Sequence, residues 1–120
     1  MAEKLFSSEI RIMELLWKNG EMTAKELAAA LAESIGWSKT TTYTVIKKCI
    51  EKGTVIRTDP GFVCKAAVSK NEVQESETFE LIDRLFGGSP DLLVSALIGS
   101  GKISSDELKK LRETIKNMEE

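Results

Sequence analysis

Three observations place this 120-residue chain in the mainly α class with a small β-hairpin. Three short amphipathic segments follow one another before Gly53, and the third is basic on its outer face. Directly after Gly53 the pattern turns extended, with two β-branched runs on either side of Asp59-Pro60-Gly61. Beyond residue 69, helix-start signals recur ahead of apolar stretches. Three helices and a hairpin predict an N-terminal winged helix-turn-helix over residues 1–69. Residues 70–120 are expected to form a three-helix dimerisation domain, since about 50 residues cannot bury that much apolar surface internally.

Ser7-Ser8 precede the first helical segment, which directs Ile10, Met13, Leu16 and Trp17 inward and ends at Asn19-Gly20. Thr23-Ala24-Lys25-Glu26 is a capping box, in which hydroxyl and carboxylate each satisfy an orphan amide. It opens a second helix with Leu27, Ala28 and Leu31 on one face. Gly36-Trp37 turn the chain, and Ser38 caps the third helix. There Thr42, Val45, Ile46, Cys49 and Ile50 recur at i, i+3, i+4, i+7 and i+8 and are assigned to the core. Thr54 to Thr58 and Phe62 to Ala66 read as strands, joined by the Asp59-Pro60-Gly61 turn.

Ser69-Lys70-Asn71-Glu72 is a second capping box, ahead of Val73, Phe79, Leu81, Ile82, Leu85 and Phe86 and a stop at Gly87-Gly88. Ser89-Pro90-Asp91 starts the next helix, with Pro at its first position, leading into Leu92-Leu93-Val94-Ser95-Ala96-Leu97-Ile98. A third box, Ser104-Ser105-Asp106-Glu107, precedes Leu108, Leu111, Ile115 and Met118, a heptad-like stripe. The face expected to pair two copies comprises Phe79, Ile82, Leu85, Phe86, Leu92, Leu93, Leu97, Leu108, Leu111 and Ile115.

Charge is unevenly spread. Residues 1–69 hold 10 Lys/Arg against 8 Asp/Glu, a net of +2, and residues 70–120 hold 7 against 11, a net of −4. From Ser38 to Arg57 there are five cations and a single acid, Glu51. Local charge governs attraction to phosphates, so the overall −2 does not exclude nucleic acid. The charged start, Met1-Ala2-Glu3-Lys4-Leu5-Phe6, does not read as a signal peptide, and the apolar run from Leu92 to Ile98 is too short to span a bilayer. A cytoplasmic protein with no membrane partner is expected. Two cysteines, Cys49 and Cys64, sit in apolar patterns and read as reduced core thiols.

The outer face of the third helix carries hydroxyls and cations almost without acid, the composition of a helix laid in a nucleic-acid groove. A plain surface helix would mix Glu with Lys. The candidate DNA-binding residues are Lys39, Thr40, Thr41, Tyr43, Thr44, Lys47, Lys48 and Arg57. Thr41 and Thr44, with Tyr43 beside them, are expected to reach base edges or phosphates. Lys39, Lys47, Lys48 and Arg57 would mainly neutralise phosphates. Lys65 is a second wing cation, whereas Asp59 at the tip opposes that role. Trp17 and Trp37, at the ends of helices, are read as packing residues rather than stacking platforms for single strands.

Several of these residues resemble a known family. Leu15-Leu16-Trp17 closing the first helix, Trp37-Ser38-Lys39-x-Thr41-x-x-Thr44 opening the third, and Lys52-Gly53 closing it are similar to the penicillinase repressor family. That family includes β-lactamase, methicillin-resistance and copper-homeostasis repressors. The resemblance is strongest over residues 5–57 and collinear through the C-terminal helices. It implies a homodimeric repressor whose winged helix binds a double-stranded, inverted-repeat operator. In the antibiotic-resistance branch, release follows cleavage in the dimerisation domain, linked to a membrane sensor protease; a regulatory protease is therefore an implied partner. The equivalent position here falls near Ala96-Leu97, where that branch has an Asn-aromatic pair. The copper branch uses a C-terminal cysteine cluster, and Asn117-Met118-Glu119-Glu120 offers none. The wing is also about two residues shorter than is usual in the family, and it lacks the basic residue often found just after its glycine.

No cofactor or metal is expected, because two thiols without any histidine make a poor zinc site. No catalytic residue is assigned either: there is no histidine for acid–base work, no phosphate loop and no nucleophile elbow. The alternative to a repressor is a winged-helix protein-interaction module that binds no specific DNA.

Overall fold

The computed structural model describes residues 4–119. Helix α1 (Ser7–Asn19) begins one residue earlier than a serine cap would place it. The carboxylate of Glu9 replaces that cap, its Oε1 accepting from the Phe6 N–H at 2.8 Å. The buried stripe of α1 is Glu9, Ile12, Met13 and Leu16. Ile12 therefore occupies the place that the sequence gives to Ile10, and Ile10 and Trp17 are only half-buried. The reason is that the stripe is headed by a charged residue, which hydropathy alone assigns to solvent.

A two-residue strand β1 (Met22–Thr23) precedes α2 (Ala24–Ile35). The capping box forms as expected: Glu26 N donates to Thr23 Oγ1 at 3.1 Å, and Thr23 N donates to Glu26 Oε1 at 2.9 Å. Leu27, Ala28 and Leu31 are buried. Gly36 takes φ 71°, a left-handed conformation that ends α2 and turns the chain toward α3 (Lys39–Glu51). Ser38 Oγ accepts from the Thr41 N–H at 3.1 Å. Thr42, Val45, Ile46 and Cys49 are buried, as the spacing predicts, and Ile50 is half-buried.

Gly53, at φ 79°, closes α3, and Thr54 N then donates to the Cys49 carbonyl at 3.0 Å. The hairpin follows as β2 (Val55–Thr58) and β3 (Val63–Ala66), antiparallel with Arg57 opposite Cys64. β1 adds to the far side of β3, so the sheet order is β1-β3-β2. This third strand escapes sequence reading because two residues carry no period. The core of Leu5, Ile12, Met13, Leu16, Ala24, Leu27, Leu31, Val45, Ile46, Cys49, Val55, Cys64 and Val73 joins the three helices to the hairpin. Trp17 packs against it and donates Nε1–H to the Val68 carbonyl at 2.9 Å, and Trp37 packs against the same core. Both tryptophans are therefore packing residues.

The tail is helical throughout: α4 (Lys70–Leu85), α5 (Pro90–Gly99) and α6 (Ser105–Glu119). Ser69 Oγ accepts from Glu72 N at 3.0 Å, and the Ser104–Glu107 box closes in both directions at 2.9 and 3.1 Å. Two compact units divide between Glu77 and Thr78, midway along α4. Early α4 belongs with the first unit because Val73 enters its core and Glu77 Oε1 accepts from the Leu5 N–H at 3.3 Å. In the second unit, α5 and α6 contain no buried residue. Of the apolar side chains expected to pair two copies, Ile82 is already buried within the chain at 4% exposure and has no free surface to offer. Phe86, Leu93 and Leu108 are half-buried, while Phe79, Leu85, Leu92, Leu97, Leu111 and Ile115 stand exposed.

Candidate nucleic-acid interface

The burial of Thr42, Val45, Ile46 and Cys49 fixes the rotation of α3 and so decides which side chains it presents outward. Lys39, Thr40, Thr41, Thr44, Lys47 and Lys48 are all exposed. Among the described residues, no carboxylate pairs with Lys39, Lys47 or Lys48. Arg57 comes from the facing strand β2, and between helix and hairpin lies an open groove of about 420 Å³. Lys39, Thr40, Tyr43, Thr44, Lys47, Arg57 and Phe62 line it. Six of the eight candidate residues thus converge on one concavity. Thr41 and Lys48 lie outside it, on another flank of α3.

The hydroxyls are partly committed. Thr44 Oγ1 donates to the Thr40 carbonyl at 2.9 Å, so it is left to accept rather than donate. Thr41 Oγ1 accepts from Ser38 Oγ at 2.9 Å, which leaves its own O–H free to donate outward. Tyr43 is half-buried, and its ring meets Phe62 edge-on, with centroids 5.7 Å apart and planes at 88°. It therefore joins α3 to the hairpin as well as lining the groove. Lys39 Nζ lies 5.6 Å from the Tyr43 ring centroid, within cation–π range.

Arg57 is not a free cation. Its Nε donates to Asp59 Oδ2 at 3.1 Å, and its Cζ lies 3.6 Å from the Phe62 ring centroid. Phe62 also belongs to this face without being among the candidate residues, and Asp59 belongs to it as the partner of Arg57. A phenylalanine at the start of a strand gives no sign that its ring will support a guanidinium. Asp59 was visible as an acid at the tip, but its partner was not. Lys65 is exposed on β3 but does not line the groove.

Lys52, which closes α3, serves a different purpose. Its Nζ donates to Glu9 Oε1 and to the Lys4 carbonyl, each at 2.8 Å. Glu9 is fully buried, so this ion pair fixes the end of α3 to the start of α1. The two thiols are also structural. Burial pushes Cys49 up to about 11 and raises Cys64 as well, and both side chains are buried. Neutral thiols at ordinary pH are poor nucleophiles and poor metal ligands. Among the described residues, no cluster of His, Cys, Asp or Glu could hold a metal ion. None of the described helices is long and apolar enough to cross a membrane.

A helix-turn-helix with a hairpin set beside its third helix, and a cationic groove between the two, defines a winged-helix protein of the transcription-regulator type. More particularly, the chain belongs to the penicillinase repressor family, whose sequence profile matches residues 5–117. Among curated relatives, the methicillin resistance regulatory protein MecI of Staphylococcus aureus (strain N315) is 21% identical over 114 residues, spanning 93% of each chain. An uncharacterized 16.5 kDa protein in the ptsI 3' region of Latilactobacillus sakei is 25% identical over 114 residues, 93% of this chain and 78% of the relative. The solution structure of the DNA-binding domain of the repressor BlaI matches 60% of this chain and 90% of its own, with a TM-score of 0.55 and 22% identity. The Bacillus licheniformis BlaI monomeric form in complex with the blaP half-operator matches over the same shares, with a TM-score of 0.53 and 22% identity. The family makes this chain a repressor-type protein rather than an enzyme.

Proposed function

We propose that this protein is a homodimeric, sequence-specific repressor that binds an inverted-repeat DNA operator in the cytoplasm. The observation that carries the reading is the exposed run of Lys39, Lys47 and Lys48 on α3, which holds Glu51 as its single acid, continued onto the hairpin by Arg57. Cations along a helix and an adjacent wing can neutralise duplex phosphates, while Thr41 and Thr44 are short enough to meet base edges. A solved relative described in complex with a half-operator supports the same use of this fold.

The first unit, residues 1–69 with the early turns of α4 packed on it, acts as the DNA-binding module, and the remainder of residues 70–120 acts as the dimerisation domain. The exposed Leu85, Leu92, Leu97, Leu111 and Ile115 supply the surface on which two copies meet. Pairing two modules doubles the recognised sequence and imposes palindromy on the site.

Fluorescence anisotropy on the gene's own upstream duplex and on a scrambled duplex, across a salt series, tests this. The expected result is selective binding at two chains per site, with affinity falling steeply as salt rises. Lys47→Ala should weaken both duplexes alike and flatten the salt slope by about 0.9 for each chain bound, about 1.8 for the dimer. Thr41→Val should weaken mainly the preferred duplex. Absence of salt-dependent binding to any duplex would overturn the reading and favour a protein-interaction module.

A further inference from the structure

The tip of the wing holds an acid on the face that is to meet phosphates. Asp59 is exposed, and both its oxygens accept from Arg57 Nε, at 3.1 and 3.3 Å. Arg57 is also held from a second direction, with its guanidinium carbon 3.6 Å from the Phe62 ring centroid. Phe62 is itself fixed. Its carbonyl accepts from the Ala24 N–H at 2.9 Å, its ring abuts Tyr43, and its backbone sits at φ 51°. The guanidinium is thus positioned at the groove by a rigid ring, while its charge is offset by a neighbouring carboxylate. Among the described residues, its terminal nitrogens have no partner and remain open.

We propose that Asp59 is a specificity-determining residue: it competes with DNA phosphate for Arg57 and so penalises loosely seated complexes. The proposal rests on the DNA-binding reading above. An exposed ion pair of this kind is worth little, up to about a fivefold factor, so a well-placed phosphate displaces it readily. On the preferred site, contacts from α3 hold the backbone against the wing, and Arg57 exchanges its carboxylate for phosphate. On an arbitrary duplex the wing meets the backbone loosely, and Arg57 stays with Asp59. Removing Asp59 should therefore help wrong DNA more than right DNA.

The test compares wild type, Asp59→Asn, Arg57→Ala and the double variant of the full chain, on the upstream and scrambled duplexes across a salt series. Asp59→Asn should tighten the scrambled duplex about two- to fivefold. It should tighten the upstream duplex less, and steepen the scrambled-duplex salt slope by about 0.9 for each wing that engages the backbone. In the Arg57→Ala background, most of that gain should vanish. Unchanged affinities, equal tightening on both duplexes, or the same gain with and without Arg57 would each overturn the competition, the last by showing simple repulsion. A wild type that binds selectively while Asp59→Asn is silent removes this proposal alone. A wild type that binds neither duplex removes the DNA-binding reading with it.

Discussion

Replacing Lys52 by Met tests how α3 is held in place. Glu9 is fully buried, and its Oε1 accepts from Lys52 Nζ and from the Phe6 N–H, each at 2.8 Å. Among the described residues, its Oε2 has no partner. The Lys52 side chain is 19% exposed and also lies 4.4 Å from the Phe6 ring centroid. Met keeps most of the aliphatic stem and removes the charge, so the loss isolates the ion pair from packing. An uncompensated buried carboxylate typically costs about 3–5 kcal/mol. Partial exposure of Lys52 favours the lower end. For a unit of this size that corresponds to a fall in Tm of about 12 °C or more. Urea denaturation followed by circular dichroism should show a lower midpoint with an unchanged m-value. Adding Glu9→Gln to Lys52→Met should restore part of the loss, because the stranded charge is then gone. A cost below about 1 kcal/mol for Lys52→Met, or no recovery in the double variant, would refute the claim that Lys52 compensates a buried charge.

Three further outcomes follow from the same coordinates. Thr42 is fully buried and its Oγ1 has no hydrogen-bond partner among the described residues, so Thr42→Val should raise stability by about 1 kcal/mol in the same denaturation assay. Burial raises the Cys49 pKa from 9.0 to about 11; the unfolded chain therefore ionises first, and stability present below pH 9 should decline as pH rises toward 11. Cys49→Ala should flatten that decline at some packing cost, and a slope identical to wild type would refute the assignment. Ile115 is 54% exposed on α6, and each copy would bury about 1 kcal/mol of apolar surface through it. Ile115→Glu should therefore weaken self-association at least about 30-fold in sedimentation equilibrium.

Much of the first unit was legible because its periodicities are clean and its helix starts are written in short polar motifs. Val45, Ile46 and Cys49 announce the inward face of α3, and the outward face then follows by subtraction. The Thr23–Glu26 and Ser104–Glu107 boxes were legible for the same reason, since each is a local hydrogen-bond pair set by spacing alone. What stayed hidden depends on partners distant in sequence. Glu9 reads as a surface acid until Lys52 arrives from 43 positions away. Phe62 reads as a strand residue until Arg57 and Tyr43 close on its ring. Strand β1 exists only because β3 passes beside Met22 and Thr23. Ile82 reads as one more apolar position of α4, and nothing in its spacing separates it from the exposed Phe79 and Leu85.

The two units divide the physical work unequally. The first satisfies itself: three helices and a hairpin close over one apolar core, and its outer face is left free to carry cations. The second does not. Helix α5 leaves Leu92, Val94, Leu97 and Ile98 each about half exposed, and α6 leaves Leu111, Ile115 and Met118 exposed, with nothing buried in either helix. Apolar surface of that extent is costly in water and acts as an interaction surface. A second copy offers the same surface in return, and a two-fold arrangement lets every residue of the patch meet its counterpart. Under the proposed pairing, association would contribute part of the folding free energy of the tail, and dimer formation and tail stability would be linked by mass action. If the proposed dimer forms, any agent that disorders the tail also separates the two copies of the first unit, which is a direct route to control. On that reading each unit alone would keep whatever phosphate contacts its cations make and lose the pairing on which recognition of a palindrome depends.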